Sequence, residues 1–243
     1  RRWRAGRAGA PRGGPARALA RRFSELAEHV ESGARYEALA RLHDLRAGRR
    51  TLMERLGDIE AEMNQGGELA LGPGHEALGR GWLALGDAVR AREHLEAAWA
   101  HGSRTSRVAY ALALAWTRLY QEQLQAMESL SPRQREARRQ ELARSHRDPA
   151  LSWLRQGGGA EVPSTEYVEA LIAFLEEHHE DALARLDALG DRLPWFFEAP
   201  LLRGDVLRAQ ASAHSAAGHR EQARASLEAA RQAYARATAT AES

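Results

Sequence analysis

The stretch PGHEALGRGWLALGDAVRAREHLEAAWAH, residues 73–101, reads as two amphipathic helices joined by a tight turn at Leu85-Gly86-Asp87. Apolar residues recur at helical spacing on either side of the turn, as Leu78 and Trp82 before it and as Ala91, Leu95 and Ala98 after it. Gly79, Ala91 and Ala98 are small where paired helices must approach closely, and Trp82 and Leu95 are large enough to fill the space between them.

Counted with Gly72 as position 1, Leu78, Gly79, Trp82, Gly86, Ala91, Leu95 and Ala98 occupy positions 7, 8, 11, 15, 20, 24 and 27. In that order they resemble the tetratricopeptide repeat, a helix–turn–helix unit of about 34 residues. The resemblance implies an all-α fold: a right-handed helical superhelix, or α-solenoid, of stacked hairpins. His75 stands where the repeat has its early Trp, and Ser103 where it has its closing Pro.

The pattern continues downstream over residues 73–238. After a first unit at 73–105, Leu112, Ala113 and Trp116 restart the frame. Ala150 and Leu154 complete a second unit, 106–160, only after an inserted helix that opens with the capping box Ser131-Pro132-Arg133-Gln134 and runs to about His146. Gly157, Gly158 and Gly159 close it. A third unit, 163–195, opens at Pro163-Ser164 and carries Ala182, Leu186, Leu189 and Pro194. A fourth, 196–236, carries Gly204, Gly218, Ala223, Leu227 and Ala230 with seven added residues, two helical turns that preserve the facing of both helices.

Upstream, Phe23, Leu26, Val30, Ala34, Ala38 and Leu42, then Leu52, Leu56, Ile59 and Met63, predict a long helical hairpin over 17–64, with helices at about 17–42 and 45–64 and Asp44 capping the second. Gly66 and Gly67 end it, and Gly72-Pro73-Gly74 is expected to be the loop that enters the first repeat. Residues 1–16 are rich in Arg, Gly and Pro and read as a disordered basic linker. Three readings of it stay open: a solvated spacer, a juxtamembrane segment drawn to anionic headgroups with Trp3 at the interface, or a nucleic-acid contact.

Composition narrows the chemistry. The 243 residues contain no Cys, and every one of the 35 basic residues is Arg. Disulfides, thiolate metal sites, Cys nucleophiles, Schiff-base lysines and phosphate-loop lysines are thereby excluded. Eight of those arginines lie within the first 22 residues, which leaves 27 against 33 acids in the rest. A body carrying a net charge of about −6 argues against nucleic-acid binding there. No apolar run is long enough to span a bilayer.

No catalytic, cofactor or metal set emerges from the residue pattern. His178-His179-Glu180, with His75 and His214, lacks metal-ligand spacing, and paired acids such as Glu176-Glu177 or Glu60 and Glu62 belong to exposed helical faces. The basic inserted helix reads as a solvated face, and Trp195-Phe196-Phe197 as packing between adjacent repeats. In a stack of such units, the first helices line a concave groove. The positions that point into it give Glu76, Arg80 and Leu83, then Arg107, Tyr110, Leu114 and Thr117, then Glu198, Leu201, Asp205 and Arg208. Their mixed charge and apolar stretches suit a peptide or helix of another protein.

Over residues 17–238, the order of Leu42-His43-Asp44, Gly72-Pro73-Gly74-His75, Asp148-Pro149-Ala150-Leu151 and Trp195-Phe196-Phe197-Glu198-Ala199-Pro200 resembles the region after the catalytic domain in bacterial serine/threonine protein kinases with tetratricopeptide repeats. That resemblance implies a non-catalytic interaction or scaffolding module, cytoplasmic and tethered to the inner membrane by an upstream segment, that regulates the kinase or recruits its substrates. The kinase motifs themselves are absent from this chain. A repeat region of a transcription regulator or envelope-assembly protein, or an enzyme with its site in the groove, are the alternatives.

Overall fold

The computed structural model describes residues 14–39, 45–127, 131–157, 164–190 and 192–242. Their architecture is all-α, with no strand among the described residues. The helices are α1 (Gly14–Leu39), α2 (Leu45–Gln65), α3 (Glu68–Ala84), α4 (Ala88–Ala100), α5 (Ser106–Ala126), α6 (Pro132–Leu142), α7 (Asp148–Gln156), α8 (Thr165–Leu175), α9 (His179–Leu189), α10 (Glu198–Ala216) and α11 (Arg220–Glu242). They form two compact units, one built from Arg1–Ala34 and Leu45–Arg104, the other from Arg35–Asp44 and Thr105–Ser243. The basic linker expected at 1–16 lies outside the described residues up to position 13, and Gly14 already belongs to α1. The expected cap Asp44 and residues Gly158, Gly159 and Pro163 also lie outside them.

In the first unit, Phe23, Ala27 and Val30 of α1 share a core with Leu52, Leu56, Ile59 and Met63 of α2 and Ala77 and Leu78 of α3. Removing a side chain of this size from water contributes about 1.5–3 kcal/mol. Helices α1 and α2 occupy the described part of the hairpin expected at 17–42 and 45–64, residues 40–42 lying outside it, but the expected entrance loop Gly72-Pro73-Gly74 does not form. The chain turns at Gly67, with φ of 64°, and α3 starts at once, running through Pro73. The glycines beside Pro73 serve packing instead. Gly72 faces the carbonyl of His101 at the end of α4, and Gly74 faces Met63 of α2.

The same alternation continues along α3. A Cβ at Gly79 would lie 2.5 Å from Leu95 Cγ on α4, and one at Gly81 would lie 2.5 Å from Leu56 Cδ2 on α2. Helix α3 thus meets each neighbour at glycine positions, Gly79 toward α4 and Gly74 and Gly81 toward α2. The close contact expected at Gly79 is present; the second glycine face, at Gly74 and Gly81, was hidden because it answers to the hairpin upstream rather than to the repeat.

One turn geometry recurs in both units. Gly86, Gly102, Glu177 and Gly218 all adopt a left-handed conformation, and in each case the next N–H returns to the helix just ended. Asp87 N–H bonds Trp82 O, Ser103 N–H bonds Ala98 O, His178 N–H bonds Ala173 O and His219 N–H bonds His214 O, each at 2.9 Å. This six-to-one closure satisfies carbonyls left open by the helix end. Side chains then open the following helices: Asp87 accepts from Arg90 N–H, Thr105 from Val108 N–H and Ser164 from Tyr167 N–H.

The second unit pairs α5 with α7, α8 with α9 and α10 with α11. The inserted helix is α6, and its capping box forms: Gln134 Oε1 accepts from Ser131 N–H at 3.1 Å and from Ser131 Oγ at 2.6 Å. A π-helical turn over Ala143–Arg147 joins α6 to α7, so insertion and second helix run on without a loop. On α11, Ala223, Ser226, Ala230, Ala233 and Ala237 turn inward at alternating spacings of three and four. Leu227, expected in that interface, lies beside the stripe and is 54% exposed. The small stripe brings α10 so close that Gly204 sits directly against the Tyr234 ring.

Candidate interaction surface

In the first unit, one of the expected groove residues, Arg80, serves the interior. Arg80 is buried and forks onto Glu31 of α1, with Nε to Oε1 at 2.8 Å and Nη2 to Oε2 at 2.7 Å. Burial opposes the guanidinium charge, but Glu31 and the nearby Glu76 carry its pKa upward. Glu76 and Leu83 are half-buried. A ligand reaching Arg80 would have to break a bidentate ion pair.

Three histidines of this unit meet, although their sequence spacing gave no sign of it. His75 Nδ1 on α3 lies 3.0 Å from His94 Nδ1 on α4, and the His75 ring stacks on His101 at 5.7 Å between centroids. Burial lowers the pKa of His75 and of His94, and for His75 the neighbouring imidazoles add to the effect. His94 lies in α4 and His101 directly follows its end, seven residues or about two turns on, which is the only trace available in sequence. No group of three metal-ligating side chains is in place among the described residues.

The second unit gathers its expected residues on α5 and α10 around α8. Tyr110 of α5 is held by Gly157, where a Cβ would lie 2.9 Å from the Tyr110 backbone nitrogen. Burial, then Glu198, pushes the Tyr110 hydroxyl pKa up, and the fully buried Tyr167 of α8 is raised by burial and by Tyr110, Glu198 and Asp205. Asp205 has its carboxyl pKa raised by burial and accepts from Tyr234 Oη at 2.8 Å, while Tyr234 itself is pushed up to about 12. Leu114 packs on the core, Arg107 is half-buried, and Thr117 is buried with its hydroxyl donated to Ala113 O at 2.8 Å. Arg208 and Leu201 are exposed on α10. Glu198 forms an ion pair with Arg35, which belongs to this unit. Tyr167, absent from the expected set, joins because α8 places it between α5 and α10.

No family model, curated protein or solved structure matches this chain. The site's tyrosine hydroxyls are held above their ordinary pKa and Asp205 accepts from Tyr234, so the cluster offers donors and acceptors in fixed positions. Ser145 Oγ lies 2.8 Å from His146 Nδ1, and the same exposed hydroxyl donates to the Glu141 carbonyl at 2.9 Å in the π-helical turn. The aromatic run divides its labour: Phe196 is buried edge-on against Tyr167 at 4.8 Å, while Trp195 is 54% exposed and Phe197 half-buried. No described helix is long and apolar enough to cross a membrane.

Proposed function

We propose that the chain is a tetratricopeptide-like protein-interaction module without catalytic activity of its own, whose recognition face is the Tyr110, Glu198, Leu201, Asp205 and Arg208 surface of the second unit. The observation that carries this reading is the repeated hairpin closed by one left-handed turn, with Gly79, Gly157 and Gly204 each at a close helix contact. Small residues at such contacts are what a stack of helix pairs requires. The face itself combines a half-buried tyrosine, two carboxylates, an exposed leucine and an exposed arginine, a mixture suited to a polypeptide ligand.

The likeness of its sequence to the region following bacterial serine/threonine kinase domains extends the proposal: the module regulates such a kinase or recruits its substrates on the cytoplasmic side of the membrane. The reading frame upstream of Arg1 tests this, with an Asp-Phe-Gly motif and catalytic loop expected there. A DNA-binding domain or secretion signal upstream would replace the kinase reading by that of a transcription regulator or envelope protein. In the kinase, deleting residues 14–242 should abolish phosphorylation of native protein substrates and leave that of a short generic peptide unchanged. Equal loss of both would contradict a recruiting role.

A further inference from the structure

The second unit holds an arginine in an aromatic and acidic cage. The Arg35 guanidinium lies 5.0 Å from the centre of the Phe197 ring and 5.8 Å from that of Trp195, and it pairs with Glu198 Oε1. Guanidinium groups bind aromatic faces through charge and planarity, and bind carboxylates best when both oxygens are engaged. Here only one is: Glu198 Oε2 is buried with no hydrogen-bond partner. A buried carboxylate oxygen without a donor is costly, so the site is incompletely satisfied by the residue that fills it. Trp195 remains more than half exposed, leaving the cage open to solvent along one wall.

We propose that Trp195, Phe197 and Glu198 form a receptor for an arginine side chain of a partner polypeptide, and that Arg35 is its internal stand-in. A guanidinium free of the α1 backbone can engage both Glu198 oxygens between the same two rings, which Arg35 does not do. Displacement of Arg35 is then the step that couples binding to the end of α1. The inference rests on the interaction-module reading but names a ligand group that can be tested without any partner.

The test uses the full chain labelled with 5-fluorotryptophan, the Trp195 fluorine signal being assigned by its loss in Trp195→Phe, and N-acetyl-arginine methylamide as the probe. Arg35→Gln is expected to bind the probe saturably, at least tenfold more tightly than the unaltered chain. The response should disappear in Arg35→Gln/Glu198→Gln and weaken severalfold with the lysine analogue. Equal affinity with and without Arg35, binding that survives Glu198→Gln, or no binding to a folded Arg35→Gln chain would overturn the proposal. If Arg35→Gln unfolds, Arg35 is a structural clamp and the proposal falls as well. A failed probe titration refutes the cage alone; the interaction reading is tested separately by cross-linking.

Discussion

Replacing Gly79 by Ala should destabilise the first unit, while the same change at Gly57 should stabilise it. Both glycines lie within helices, where Ala is favoured by about 1 kcal/mol. At Gly57 the added methyl meets nothing within 4 Å, so most of that gain should appear, about 0.5–1 kcal/mol. At Gly79 the methyl would lie 2.5 Å from Leu95 Cγ, 2.9 Å from Cδ2 and 3.1 Å from the Leu95 backbone nitrogen. A rotamer change can relieve the first two distances; the third requires α4 to move. Overpacking that shifts a helix costs about 3 kcal/mol. Against the helical gain of about 1, a net loss of about 2 kcal/mol remains, and the two variants should differ by close to 3. Urea unfolding followed by circular dichroism reads both as opposite midpoint shifts. A Gly79→Ala protein as stable as the unaltered chain, or two variants that shift alike, would refute close helix contact as the reason for this glycine.

Acid should weaken the first unit through its histidines. His75 and His94 have folded pKa values below the ordinary 6.5, so the unfolded chain binds protons first, and stability present above pH 6.5 is lost as pH falls through the folded values. Glu60 and Glu93 favour the charged rings, whereas His101 opposes charge on His75 and Arg90 opposes it on His94. Thermal melts from pH 7.5 to 5 should decline less steeply in His75→Gln/His94→Gln, and identical slopes would refute the assignment. Glu31→Ala should cost about 3 kcal/mol by stranding the buried Arg80, with Glu31→Leu/Arg80→Met recovering much of it in the same unfolding assay. Additive losses would show that the pair is not coupled. Glu177→Gly should stabilise by about 0.5–1 kcal/mol, since Glu177 alone among the described non-glycine residues has a positive φ, 63°; a lower melting temperature would contradict it.

Features set by local chemistry were legible in the sequence: the two upstream helices, the Gly86 turn and the Ser131 capping box each depend on residues within one or two turns. Features set by a third helix were not. Gly72-Pro73-Gly74 looks like a loop because nothing nearby reveals that α2 and the end of α4 press on it. Arg80 fits an open groove position until Glu31 of α1 takes it. Leu227 matches the repeat frame, but the all-small inner stripe of α11 left it outside. The histidine group and Tyr167 were hidden for the same reason, since tertiary packing joins residues whose spacing carries no motif.

The recognition face can be read directly by placing a photoreactive p-benzoylphenylalanine at Leu201 on α10, which is exposed, and in a second protein at Arg224 on α11, also exposed. Irradiated in cells of the source organism, the Leu201 protein should form a discrete adduct with another polypeptide, and the Arg224 protein should form none. Adducts from Arg224 alone, or from neither position, would contradict a polypeptide-binding face built on α5, α8 and α10.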